Sequence, residues 1–152
     1  MLLRLKQLFD RDGEKKDLYL DIPLEELGIY SGFGTFVTPI SLRGKIENRA
    51  GVVSMQYNAQ FTIRHLCDRC LNEFDREYSM DFEHILIRTE SYDEDEYVQC
   101  PDDTLDVNEL AISDLLLSLP SKILCREDCK GLCPICGKNL NTGDCGCEPD
   151  EQ

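Results

Sequence analysis

The longest regular pattern in the sequence is a strict alternation of apolar and polar residues near its centre. The apolar positions are Val53, Met55, Tyr57, Ala59, Phe61 and Ile63, and a polar residue stands between each pair. Successive side chains of a β-strand point to opposite faces, so a period of two places all six apolar side chains on one face. The pattern predicts a long antiparallel strand with one buried face and one wet face.

Three other segments show the same period of two. Their apolar positions are Leu18, Leu20, Ile22 and Leu24 in the first segment, Phe36, Ile40, Leu42 and Ile46 in the second, and Phe74, Tyr78, Met80, Phe82 and Leu86 in the third. Pro23 confines the first strand to an edge, and a glycine-rich link at residues 31–34 follows it. Turn residues at 48–51 and at 67–72 join the remaining strands. The central run and the second and third of these segments predict an antiparallel meander of three strands.

A single helix is predicted after the strands. Asp106 and Glu109 resemble a capping box, and Ile112, Leu115, Leu116 and Leu119 then follow at the spacing of one helix face. Pro120 ends this helix, which we place at about 107–119. Its apolar stripe is expected to cover the apolar face of the sheet. Residues 1–120 are therefore expected to form one α+β domain.

Charge is distributed unevenly along the chain. The net charge of −14 argues against a generic nucleic-acid binder, because affinity for phosphate comes mainly from Lys and Arg. Nine acids and no base lie between Glu90 and Glu109, and residues 90–106 lack periodicity, which predicts an acidic loop. Between Ser41 and Cys70, five basic residues stand against two acids. The candidate RNA contacts there are Arg43, Lys45, Arg49, Arg64 and Arg69, although an ordinary solvated surface is the plainer interpretation.

The N-terminus resembles a targeting segment only faintly, because Arg4 and Lys6 interrupt its apolar residues and no small-residue cleavage site follows. No stretch approaches the roughly 18 apolar residues that cross a bilayer. We therefore expect a cytoplasmic protein with no membrane partner. In a reducing cytoplasm, nine cysteines favour metal ligation over disulfides.

Residues 121–152 form a cysteine-rich segment with too few large apolar residues for a core of its own. Six thiols fall within 23 residues: Cys125, Cys129, Cys133, Cys136, Cys145 and Cys147. Cys133-Pro-Ile-Cys136-Gly has the spacing of a zinc knuckle, since two intervening residues let both sulfurs reach one ion. Cys145 and Cys147 are the nearest further pair, although Cys-x-Cys is a less common spacing and one of them can be a spectator.

A second Cys-x-x-Cys, formed by Cys67 and Cys70, lies in a predicted hairpin turn. Joining this pair to Cys125 and Cys129 gives a second four-thiolate zinc site, which would clamp the C-terminal segment onto the sheet. Two plainer interpretations stay open. An i, i+4 pair also arises on an ordinary helix face, and a turn can carry unligated thiols. Cys100 is left over and is expected to be incidental.

Nothing in the sequence indicates catalysis. A redox Cys-x-x-Cys normally opens a helix within a βαβ unit, and neither pair has that setting. His65 and His84 lie in predicted strands without a serine motif or a carboxylate pair. There is no glycine-rich phosphate loop of recognised spacing. We therefore expect no enzyme and no small-molecule substrate.

The chain resembles the YceD-like family, also known as large ribosomal RNA subunit accumulation proteins. One matching segment is Cys67-Asp-Arg-Cys70 followed by Phe74. The other runs from Asp114-Leu-Leu-Leu-Ser-Leu-Pro120 through the C-terminal cysteines to Asn139-Leu-Asn141 and Cys145-Gly-Cys147. The resemblance implies a non-catalytic factor that supports normal accumulation of large-subunit rRNA, during precursor processing or subunit assembly.

Two functions are consistent with these features. The first is an accessory factor in large-subunit biogenesis that contacts precursor rRNA or a ribosomal protein. The alternative is a zinc-ribbon adaptor that contacts only proteins, such as a basic ribosomal protein attracted by the acidic stretch.

Overall fold

The structure is a computed structural model, and it describes residues 1–27, 34–88, 97–143 and 145–147. Within these residues, eight strands and three helices follow one another. They are β1 (Leu2–Arg4), α1 (Lys6–Asp10), β2 (Lys15–Ile22), α2 (Leu24–Leu27), β3 (Thr35–Phe36), β4 (Ile40–Arg49), β5 (Val52–Leu66), β6 (Glu73–Ile87), β7 (Tyr97–Gln99), β8 (Thr104–Asp106) and α3 (Val107–Ser118). The protein is therefore mainly β.

The predicted meander is confirmed, because β4, β5 and β6 pair in sequence order within the main sheet. The full order of that sheet is β2-β4-β5-β6-β7, and β3 pairs with β5 beyond the end of β4. The β5–β6 pairing is antiparallel without a bulge from Val53↔Leu86 to Leu66↔Glu73. Strands β1 and β8 form a separate two-stranded sheet.

The main core lies on the apolar face of this sheet. All six apolar residues of the central alternation are buried in β5, and α3 contributes Val107, Ala111, Ile112 and Leu115 to the same hydrophobic cluster. Asp106 caps α3 by accepting a hydrogen bond from the backbone N–H of Glu109, as the sequence predicts. The helix and the sheet thus share one core.

A polar contact also joins α3 to the sheet. The Tyr57 hydroxyl donates to Oδ2 of Asp114, and Nε2 of His84 lies 2.6 Å from the same oxygen. The two strand residues come from β5 and β6, and Asp114 comes from the helix. Because Asp114 is mostly buried, these two partners compensate for the loss of water around its carboxylate.

Several expectations about local structure are wrong. Leu24 begins α2 and does not extend the first strand, and the described segments contain three helices where one was expected. Residues 97–106 are folded into β7, a single 3₁₀ turn and β8, because Leu105 and Cys100 are buried in the core. The rest of the expected acidic loop, residues 90–96, and positions 31–33 of the glycine-rich link lie outside the described residues.

The N-terminal segment is part of the fold. Leu3, Leu5 and Leu8 are buried in the main core, and β1 pairs with β8. The side-chain amide of Asn48, at the end of β4, donates a 2.7 Å hydrogen bond to the carbonyl oxygen of Leu8. Of the helices in the described ranges, none is long and apolar enough to cross a membrane.

Candidate metal centres

Two groups of four cysteines bring their sulfur atoms together. The hairpin tetrad consists of Cys67, Cys70, Cys125 and Cys129, and the distal tetrad consists of Cys133, Cys136, Cys145 and Cys147. Within each tetrad all four sulfurs lie within 4.8 Å of one another, and no cysteine is in a disulfide. The structure thus brings together all eight sequence-predicted ligands, in the pairing that the sequence left open.

The hairpin tetrad has the dimensions of a tetrahedral site. The sulfurs of Cys67 and Cys129 are 3.6 Å apart, and those of Cys70 and Cys125 are 3.7 Å apart. A tetrahedral zinc ion with Zn–S bonds of about 2.3 Å holds its sulfurs about 3.8 Å apart. Three of the four residues are buried and Cys125 is half-buried. Both the geometry and the all-sulfur donor set fit a zinc ion.

Hydrogen bonds and apolar contacts, in addition to the thiols, join the hairpin turn to the C-terminal segment. Asp68 donates its backbone N–H to the carbonyl oxygen of Ile123 over 2.7 Å, and its carboxylate accepts the N–H of Ile123 over 2.7 Å. Arg76 donates to the carbonyl oxygen of Leu124 over 2.6 Å. Phe74, Leu124 and Leu132 pack around the tetrad. The tetrad therefore lies at the junction of the sheet and residues 121–132.

Gly131 is required by the local backbone. Its φ of +76° lies in the left-handed region, where only glycine is free of steric cost. A Cβ at this position would also come within 3.3 Å of Cβ of Arg69, and Arg69 itself donates a 2.9 Å hydrogen bond to the carbonyl oxygen of Cys129. The chain can thus turn tightly between the two tetrads while it stays against the hairpin.

The distal tetrad is more exposed and is built almost entirely from local turns. Cys133 is buried, Cys145 and Cys147 are half-buried, and Cys136 is exposed. The backbone N–H of Cys133 donates to Lys138 across the knuckle over 2.8 Å, and Gly137 donates back to Cys133 over 2.9 Å. This closed turn presents two sulfurs to one point, which is the geometry of a zinc knuckle.

One thiol in each tetrad has a strongly lowered pKa. Burial raises the pKa of Cys67, but backbone N–H donors, led by that of Cys70, outweigh burial and lower it to about 6. Backbone N–H groups of Cys136 and Ile135 lower the pKa of Cys133 to about 6. Donors aimed at sulfur favour the thiolate, which is the form that binds metal. Each tetrad therefore favours one thiolate, whereas burial raises the pKa of Cys125 to about 12 and the neighbouring Cys145 raises that of Cys147 to about 12.

Cys100 belongs to neither tetrad. It is buried in the main core, and burial raises its pKa to about 11, so its thiol remains protonated. His84 is held by Asp114, and Nε2 of His65 lies 2.8 Å from the Tyr78 hydroxyl. None of these side chains joins a group of metal-ligating residues in the described part of the chain.

The five candidate RNA contacts do not form one cluster. Arg43 lies 3.2 Å from Asp21 and above the Tyr19 ring, whereas Arg64 forms a bidentate pair with Asp75. Lys45 and Arg49 both lie 3.4 Å from the buried carboxylate of Glu47. Arg69 is engaged with Cys129 at the hairpin tetrad. Arg43, Lys45 and Arg64 share the wet face, but Arg64 is six residues along β5 from the position opposite Arg43, which is roughly 20 Å.

Beside these bases, the wet face carries an acidic row that sequence reasoning did not single out. It lies along β6 and consists of Glu73, Asp75, Glu77, Asp81 and Glu83. All five residues are exposed. Gln56 and Asn58 of β5 donate to Glu83 and Asp81 over 3.2 and 2.9 Å. The polar parity of these acids is visible in the sequence, but their position at one side of the sheet follows only from strand order.

The chain is similar to several curated bacterial proteins. A protein of Mycobacterium tuberculosis and one of Mycobacterium bovis, both described as uncharacterized, are 44% identical to it over 51 residues. That match covers 34% of this chain and 25% of the length of each relative. The uncharacterized protein YlbN of Bacillus subtilis is 24% identical over 106 residues, which is 68% of this chain and 62% of YlbN.

No solved structure matches the chain. The sequence profile of one family does match, and its matched region includes the meander from β5 onward and both thiol tetrads. Residues 55–152 match the family described as large ribosomal RNA subunit accumulation protein YceD, and the chain therefore belongs to the YceD family.

Proposed function

We propose that this protein is a non-catalytic, cytoplasmic accessory factor in large ribosomal subunit biogenesis that supports the accumulation or processing of large-subunit rRNA. The observation that carries the proposal is membership of the YceD family over residues 55–152. Residues 121–147 contribute few apolar side chains to either hydrophobic cluster, so metal bound by the two tetrads would hold this segment folded.

Zinc is the metal that we propose for both tetrads. Four thiolates in a tetrahedron are the donor set of structural zinc sites, and a closed four-ligand site leaves no position for substrate. The ion in the hairpin tetrad would hold the C-terminal segment against the β5–β6 turn. The ion in the distal tetrad would fold residues 133–147. Residues 1–120 and 121–152 would then be a sheet domain and a zinc-dependent extension.

The wet face of the sheet is the surface that we propose for rRNA. Arg43 and Lys45 are exposed neighbours on β4, with Gln56 and Asn58 opposite them on β5 as additional hydrogen-bond donors. Basic side chains at such positions contact phosphates and fix the orientation of a protein on RNA without reading the base sequence. Arg43 and Lys45 themselves lie 3.2 and 3.4 Å from the carboxylates of Asp21 and Glu47, so phosphate would compete with these ion pairs. Arg69 would have the smallest part, because its guanidinium donates to the carbonyl oxygen of Cys129.

The ratio of large-subunit to small-subunit rRNA in cells tests the proposed function. Removal of the protein should lower this ratio, and re-expression of the wild-type chain should restore it. A variant that lacks the distal tetrad through Cys133→Ser and Cys136→Ser should restore the ratio less well. Cells that keep a normal ratio without the protein would overturn the proposal.

The surface is tested separately by crosslinking to rRNA precursors. Charge reversal of Arg43, Lys45 and Arg64 to Glu should abolish crosslinking while the metal content stays intact. Reversal of Arg4, Lys6 and Lys16, which are exposed and lie off the wet face, is the matched control for net charge. Equal crosslinking by the two triple variants would exclude the wet face as the RNA surface.

The acidic row of β6 favours a second candidate function, a zinc-stabilised adaptor that contacts proteins only. Five exposed carboxylates along one strand repel phosphate and attract basic polypeptides. Under this alternative, the charge-reversed basic variant would still associate with ribosomal precursors. Treatment of the isolated particles with ribonuclease would then leave the association intact.

A further inference from the structure

Among the described residues, the side of β6 that faces away from β5 is largely unpaired. β7 pairs only with Ile85, Leu86 and Ile87, and in the described part of the chain no strand pairs with residues 73–84 on that side. On their other side, residues 73–84 pair with β5, from Leu66↔Glu73 to Met55↔His84. Within the part of the chain that the structure describes, one edge of the main sheet is therefore open over most of a fifteen-residue strand.

Two hydrogen bonds identify which backbone groups face this open edge. At the hairpin end, Cys67 of the β5 side donates to the carbonyl oxygen of Asn72, so even-numbered residues turn their backbone groups toward β5. At the other end, Cys100 after β7 donates to the carbonyl oxygen of Ile87, so odd-numbered residues face outward. Because the register has no bulge, the alternation holds throughout. The N–H and C=O groups of Asp75, Glu77, Ser79, Asp81 and Glu83 point to the open edge.

The same odd-numbered residues carry the acidic row. An added strand would therefore meet backbone donors and acceptors along the edge, with carboxylates beside them on the wet face. On the opposite face, Tyr78, Met80 and Phe82 are only half-buried, whereas their β5 partners Phe61, Ala59 and Tyr57 are at most 3% exposed. The edge thus offers alternating acidic and apolar positions to whatever pairs with it.

The acidic residues along this edge determine which kind of strand can pair with it. A second copy of β6, paired antiparallel through the same edge, would set its own carboxylates opposite these, and like charges directly opposite are destabilising. A strand with Lys or Arg at alternate positions would place cations there instead. Its intervening apolar side chains would cover Tyr78, Met80 and Phe82. Such strand addition is a recurrent way of binding an extended peptide.

We propose that the open edge of β6 binds an extended, basic polypeptide segment of a partner protein by strand addition, with basic and apolar residues alternating along that segment. The edge from Glu73 to Glu83 spans roughly 34 Å, which is enough for about ten partner residues. The proposal rests on the second candidate function and names the chemistry of its partner. It does not depend on RNA contact.

The test uses the full-length, metal-loaded protein and a twelve-residue peptide of alternating Lys and Val. Titration calorimetry should give a micromolar Kd at low salt, and hydrogen exchange should slow at the outward amides of Asp75, Glu77, Ser79 and Asp81. The inward amides of Arg76 and Tyr78 should change little, because β5 already binds them. Binding without slower exchange at the outward amides would mean charge attraction alone and would overturn strand addition.

Two variants and a modified peptide complete the design. Ser79→Pro removes one outward N–H and none that faces β5, so it should weaken binding at least tenfold while circular dichroism stays unchanged. N-methylation of alternate peptide residues should have the same effect without altering the protein. Reversal of Glu77 and Asp81 to Lys should abolish binding, whereas reversal of Asp17 and Glu25, which are exposed and away from β6, should not.

The outcomes also separate this inference from the proposed function. If the peptide and its N-methylated form bind equally, strand addition at β6 is wrong, whatever the rRNA ratio shows. If the peptide binds as expected and the rRNA ratio is normal in cells without the protein, the edge is a binding site but the role in ribosome biogenesis is wrong.

Discussion

The side-chain amide of Asn141 donates a hydrogen bond to Sγ of Cys129 over 3.2 Å. Asn141 lies between Cys136 and Cys145, in the loop of the distal tetrad, whereas Cys129 belongs to the hairpin tetrad. The carbonyl oxygen of the same amide accepts the backbone N–H of Lys130 over 2.8 Å. The hydrogen bond from Asn141 to the sulfur is the leading cause of the lowered pKa of Cys129. One side chain therefore links the two candidate metal sites.

Loss of this amide should loosen metal in the hairpin tetrad. Residues that hydrogen-bond to metal ligands typically change metal affinity by about 10- to 100-fold when they are removed, and Asn141→Ala should fall in that range. Cadmium-113 NMR with a competing chelator can follow each site, with the hairpin resonance assigned by its loss in Cys67→Ser. Thr142→Ala, which removes a hydroxyl from the same turn without touching sulfur, is the control. Equal affinities in the two variants would show that Asn141 does not support the site.

The thiols of the knuckle should differ from the core thiol in their effect on metal content. Cys133→Ser should remove one zinc ion per chain, because Cys133 lies in the distal tetrad. Cys100→Ala should keep all of the metal and lower the free energy of unfolding by about 1 kcal/mol, through a small cavity in the core. Atomic emission on dialysed protein measures the metal. Full zinc in both variants would refute the assignment of Cys133.

Each tetrad should protect a different part of the chain from trypsin. Cys67→Ser should expose Lys122 and Arg126 to cleavage, because the hairpin tetrad holds that segment against the sheet. Cys136→Ser should open cleavage at Lys138 but leave Arg126 protected. Mass spectrometry of early fragments distinguishes the two patterns, and circular dichroism should report an intact sheet in both variants. Identical fragments from the two variants would show that the two tetrads do not stabilise separate segments of the chain.

Tyr57 should make the fold sensitive to alkaline pH. Burial, followed by the hydrogen bond to Asp114, raises the pKa of Tyr57 above its ordinary value of 10.0. The folded chain then keeps a phenol proton that the unfolded chain loses, so the free energy of unfolding is unaffected below pH 10 and falls above it. Urea unfolding between pH 8 and 11 should show a smaller fall in Tyr57→Phe than in wild type. Tyr19→Phe, at a position that is 70% exposed, should behave like wild type.

Periodicity was sufficient to predict the elements that bury a continuous stripe. The alternation in β5 and the capped helix α3 are both found where the sequence places them. Of the stripe expected on α3, Ile112 and Leu115 are buried, but Leu116 is only half-buried and Leu119 follows the end of the helix. Strands β7 and β8 were missed because three-residue strands are too short to show a period, and their acidic neighbours suggest a loop. Helices α1 and α2 have only five and four residues and show no distinctive capping or apolar pattern.

Sequence spacing alone was sufficient to predict that the sulfurs of the knuckle lie close together. It was not sufficient to predict the four-sulfur group of the hairpin tetrad. Cys133 and Cys136 are close in the chain, so local geometry brings their sulfurs together. Cys67 and Cys125 are brought together by the path of the whole chain, and counting thiols only suggested their pairing. Asn141 and the contact of Tyr57 with Asp114 are tertiary features without a periodic signal. The open edge of β6 likewise depends on strand order, which the sequence pattern does not specify.

The amount of zinc bound by the native chain tests the central claim most directly. Protein purified without chelators or an affinity tag that binds metal should contain two zinc ions per chain, and titration with a thiol reagent should release both. Removal of the metal should disorder residues after Cys125 and leave the β4–β6 meander folded, because structural zinc contributes on the order of 10–16 kcal/mol to folding such segments. A chain that is fully folded through Cys147 with no bound metal would contradict the account.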